Sequence, residues 1–89
     1  MTLPTFNCAR AIRDGGIDAV AALNAALEDA LADAPAESHR AIKQAIGRAM
    51  GAVLDETVHP AVRAYPELKP DQETWAAAAK ARAATRAAL

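Results

Sequence analysis

The stretch Arg40 to His59, RAIKQAIGRAMGAVLDETVH, leaves little choice of fold. At 100° per residue, Ile42, Ile46, Ala49, Met50, Val53 and Leu54 fall on one broad arc, with Thr57 continuing it. Gln44, Arg48, Asp55 and His59 share a narrower opposite arc. Gly47 and Gly51, one turn apart and followed by Val58, form a third surface between the two. A helix with so little polar circumference needs cover from more than one side, so the chain is expected to be all-α.

The flanking sequence supplies that cover. Val20, Leu23, Leu27, Ala30 and Leu31 follow a 3-4 spacing, which predicts a helix over 17–33 with one narrow apolar stripe. Ala34-Pro35 is a very short joint, and two helices so joined make an antiparallel hairpin. Pro is tolerated in a first helical turn because its missing N–H would be unpaired there. Upstream, residues 1–4 are expected to fray. Residues 5–14 are expected to form a short helix with Phe6, Ala9 and Ile12 inward, ended by Gly15 or Gly16.

Downstream, Pro60 cannot continue the hydrogen-bond ladder, so the central helix should kink or stop around Glu56 to His59. Val62 and Tyr65 should then point inward. Pro66 and Pro70 bracket a linker, residues 66–70, which Leu68 should anchor to the core. The last helix is expected from about Pro70 or Asp71. Asp71 and Glu73 in its first turn and Lys80, Arg82 and Arg86 later match the helix dipole. Ala77, Ala81, Ala84 and Ala88 give it one face of small side chains, while Trp75, Ala79, Arg82 and Arg86 form another stripe. The whole, residues 1–89, reads as one small antiparallel helical bundle.

Hydrophobic residues make up 53% of the chain, but 26 of its 89 residues are Ala. Ala favours helix without filling volume. Larger apolar side chains after Met1 number 19, with Leu89 the only one after Trp75. That is a thin core for a domain near the size where one core barely suffices. The shortage at the last helix and the wide apolar circumference of the central one favour a symmetric homodimer over a monomer, with Gly47, Gly51 and Val58 at the contact.

The net charge of −1 gives no global field toward nucleic acid or membrane. Locally the charge is uneven: −3 over residues 1–34, +1 over 35–69 and +1 over 70–89. Glu28, Asp29 and Asp33 near a helix C-terminus call for basic neighbours, and Arg40 and Lys43 are the candidates. Cys8 is alone, so no internal disulfide can form, which fits a reducing cytoplasm. No apolar run approaches a membrane span, and the first residues lack the regions of a secretory signal.

Three motifs bear on function. Gly47-Arg-Ala-Met-Gly51 has the small-xxx-small spacing that lets helix backbones approach closely, and the Ala face of the last helix is its expected complement. Glu56-Thr-Val-His59 has the E-x-x-H spacing of di-iron carboxylate bundles. Such a site needs a level carboxylate on the neighbouring helix. Glu28 lies roughly 22 Å from that level along the hairpin, and Asp14 is the nearest alternative. A metal would therefore need a second copy, and none is expected. Trp75, Arg82 and Arg86, with Lys80 beside them, make a candidate contact patch for a protein or, more weakly, for nucleic acid. A helix-turn-helix fails on the linker PELKP, which is too long for the tight turn.

Catalytic chemistry finds no foothold. His39 and His59 are about 30 Å apart along one helix, and Cys8 has no base and no orienting group in the pattern. There is no phosphate loop, because there are no strands for one to follow. The reading is a non-enzymatic interaction or adaptor module, cytoplasmic and self-associating, with no cofactor. A metal protein with Glu56 and His59 between copies is the alternative, and nucleic-acid binding by the last helix a weaker one.

Overall fold

The computed structural model describes residues 3–88; Met1, Thr2 and Leu89 lie outside it. The fold is all-α, with no strand among the described residues. Its helices are α1 (Phe6–Asp33), α2 (Ala36–Val53), α3 (His59–Ala64) and α4 (Gln72–Ala87). A π-helical turn, Leu54–Val58, joins α2 to α3, and a 3-10 turn, Pro66–Leu68, lies between α3 and α4. In space these make three rods: α1, the α2–α3 unit antiparallel to it, and α4.

The first departure from the sequence expectation is at Gly15-Gly16. The helix does not stop there but runs unbroken, and neither glycine takes a positive φ. The reason is tertiary. Gly16 is fully covered by the π turn: a Cβ at that position would stand 2.1 Å from Thr57 Oγ1 and 2.9 Å from Val58 Cγ2. A bare backbone lets the rods come together here, and that packing offsets the roughly 1 kcal/mol that Gly loses to Ala in a helix interior.

At Pro60 the helix does not stop: the defect expected around Glu56 to His59 takes the form of a π turn, Leu54–Val58, wider by one residue. The His59 N–H donates to the Leu54 carbonyl five residues back, and the Thr57 hydroxyl donates to the Val53 carbonyl. A π turn ahead of a proline relieves the clash of its ring with the preceding turn and absorbs the missing donor. The shift in phase also points Val58 and Ala61 at α1, where they are 3% and 0% exposed.

The core is small. Ala9, Ala61 and Leu68 form its centre, with Leu3 and Tyr65 packed against it, and Ile17 and Val20 continue along α1. Leu68 is buried as expected, and the Arg13 guanidinium fixes its carbonyl at 3.2 Å while also holding Asp14. Phe6 remains partly exposed and meets Tyr65 edge to face, centroids 5.6 Å apart. Thr5 and Asp71 cap α1 and α4, accepting from the backbone N–H of Cys8 and Thr74. The expected pairing of Arg40 and Lys43 with the acidic end of α1 does not form. Instead His39 Nε2 lies 2.9 Å from the Ala34 carbonyl, at the cap of that helix.

α4 packs along the first half of α1 rather than against α2. The far half of the hairpin is thus only two helices thick. No residue of α2 or α4 is buried. The molecule is long, 46 × 29 × 22 Å, with a radius of gyration of 14.7 Å against about 12 Å for a compact chain of this length.

Candidate functional site

Two surfaces qualify, one at each end of the α2–α3 rod. The first is the open side of the hairpin. Leu23, Leu27 and Leu31 of α1 and Ile42, Ile46, Met50 and Val53 of α2 pack across from one another. Every one of them remains only half-buried, because no third helix lies over them.

The second is a groove of about 500 Å³ where the π turn, α3 and the start of α4 meet. Leu54, Val58 and Val62 form its floor, with Trp75 and Pro70 as the far wall. His59, Arg63 and Lys69 stand at its edges, and no Asp or Glu lines it. The His59 ring contacts Asp55 at 3.1 Å, one turn back. Arg63 and Lys69 form no ion pair among the described residues. Pattern reading found Trp75 but missed Arg63 and Lys69. Their signal was one cation just before the Pro-bracketed linker and one inside it, which only the fold brings to one opening.

The glycine pair is not where the helices meet. Outside their own helix, nothing among the described residues comes within 4 Å of a Cβ built on Gly47 or Gly51; α4 packs on α1 instead, and its Ala face, Ala77, Ala81, Ala84 and Ala88, is left exposed. The close approach predicted there occurs at Gly16. Val58, expected to face a second copy beside those glycines, is buried under Gly16 of its own chain.

The cationic stripe of α4 is also committed internally. Arg82 donates to the Ala11 carbonyl at 3.0 Å, and Arg86 pairs with Asp18. Both residues dock α4 on α1, which leaves Lys80 as the exposed cation beside them. Glu56 lies off the apolar groove, in a separate polar recess with Asp55, Pro60 and Arg63. Among the described residues no group of three or more His, Cys, Asp or Glu is placed to hold a metal. No helix there is long and apolar enough to cross a membrane.

No family model, no curated protein and no solved structure matches the chain. Its site chemistry therefore has to be read from its own residues.

Proposed function

We propose that the chain is a small non-enzymatic interaction module that pairs with a second copy of itself through the open side of the α1–α2 hairpin. The observation that carries this reading is α2 itself. Its large apolar residues share one side, yet not one of them is buried. Two hairpins laid face to face would make a four-helix bundle and cover both stripes.

The areas agree. The accessible surface is 5931 Å², whereas a folded monomer of 9.2 kDa exposes roughly 4,900 Å² by the usual scaling with mass. The excess is about 1,000 Å² per chain, close to the roughly 800 Å² that each partner contributes to a standard stable interface. The contact proposed here is the leucine–isoleucine side, since the glycine side has lost Val58 to the core. A reducing cytoplasm suits the lone Cys8.

Light scattering coupled to size exclusion across a dilution series tests it. A mass near twice 9.2 kDa is expected at high concentration, with Ile46→Asp giving the monomer and Lys43→Ala leaving the dimer intact. A monomer mass at every concentration below the hundred-micromolar range would end the reading.

A further inference from the structure

We infer that the groove at the π turn binds a small apolar molecule bearing a carboxylate, its hydrocarbon on the floor and its anion between Arg63 and Lys69. The floor and far wall offer aliphatic and aromatic surface from Leu54, Val62 and Trp75, and the volume of about 500 Å³ lies within the range of small-ligand sites.

Charge selects the occupant. Among the described residues neither cation has an ion-pair partner, Asp55 contacts His59, and the lining carries no acid of its own. An entering carboxylate therefore meets two cations in the groove, while the acids nearest Arg63, Asp55 and Glu56, line the adjoining recess rather than the groove itself. Arg63 can take it in a two-pronged contact and Lys69 as a point charge. An alkylammonium would meet like charge, and a neutral alcohol would leave both cations as they are. The floor is built on the π turn, a feature that recurs at functional sites. Apart from Leu54, at the end of the apolar arc of α2, none of the lining belongs to the leucine–isoleucine side of the hairpin, so this site does not depend on self-association.

Trp75 is the only tryptophan in the chain, so its emission reports directly on the groove. The test is a fluorescence titration with decanoate below its micelle concentration, against decanol, decyltrimethylammonium and phosphatidylglycerol vesicles. Decanoate should shift the emission to the blue saturably, and octanoate should bind roughly 15-fold more weakly, at about fourfold per methylene. Decanol and the ammonium should bind at least tenfold more weakly than decanoate. Arg63→Gln and Lys69→Gln, both at exposed positions and so expected to fold, should bring decanoate down to the level of decanol. Circular dichroism verifies the fold of each variant. Equal binding of decanoate and decanol, no loss in the two glutamine variants, or a response to vesicles alone would overturn the proposal.

Discussion

Replacing Gly16 by alanine adds a single methyl group, and its location makes the outcome unusually sharp. On helix propensity alone the change should stabilise by up to about 1 kcal/mol. The packing acts against it. The new carbon would stand 2.1 Å from Thr57 Oγ1, 2.9 Å from Val58 Cγ2 and 3.0 Å from Thr57 Cβ. None of these is the loose end of a long side chain. Moving the Thr57 hydroxyl also breaks its bond to the Val53 carbonyl within the π turn. Overpacking of this kind costs about 1–3 kcal/mol. The net is a destabilisation of up to about 2 kcal/mol, a fall in melting temperature of up to about 15 °C for a domain of this size. Gly15→Ala is the internal control, since nothing lies within 4 Å of its added carbon. It should raise the melting temperature by a few degrees. Thr57→Ala in the Gly16→Ala background should recover part of the loss, with a coupling on the order of 0.5–1 kcal/mol. Thermal melts by circular dichroism at one fixed concentration measure the parent, the Gly15→Ala, Gly16→Ala and Thr57→Ala variants, and the double variant. A Gly16→Ala protein that melts at or above the parent would refute the reasoning, and with it the account of why the rods meet there.

Acid should act on the start of α4. The Thr74 backbone N–H, with its hydroxyl next, holds the Asp71 carboxyl below the usual carboxylate range. Its folded value thus lies beneath its unfolded one, so its contribution is present above the unfolded value and is lost as pH falls through the folded value. Asp71→Asn keeps a cap and should remove that acid-dependent part; an unchanged acid limb in the variant would contradict it. Protein purified without chelator is expected to carry iron, zinc and manganese below stoichiometry. A metal at half or one equivalent per chain, lost in Glu56→Ala, would instead place a carboxylate site between copies.

The helical periodicity made the hairpin and the last helix legible, because apolar spacing and capping are local. Thr5, Ala34-Pro35 and Asp71 each stand at or beside the boundary that their chemistry implies. What was illegible depended on partners distant in the chain. Gly15-Gly16 carries the signal of a helix end, and only Thr57 and Val58, over forty residues later, convert it to a close contact. The Gly47/Gly51 spacing has the same local form and meets no partner among the described residues. Pro60 marked the right place for a defect, but a break and a π turn relieve the same clash, and packing on α1 chose between them. Arg82 and Arg86 looked like a free patch because Ala11 and Asp18 are about seventy positions away. The groove was invisible for the same reason: its cations and its tryptophan come from three different elements.

All the other helices lean on α1, while α4 makes little contact with any of them. During synthesis this imposes an order. α1 leaves the ribosome first with its leucine stripe unmet, and it waits until residue 53 and beyond have followed before the hairpin can close. At about 5–20 residues per second that wait lasts on the order of seconds, long compared with the microseconds in which a helix forms. α4 arrives last and docks onto a surface already built, through Trp75, two arginines and little else. The nascent chain thus spends its most exposed interval as a lone amphipathic helix, a state that invites either a chaperone or a neighbouring chain of the same kind.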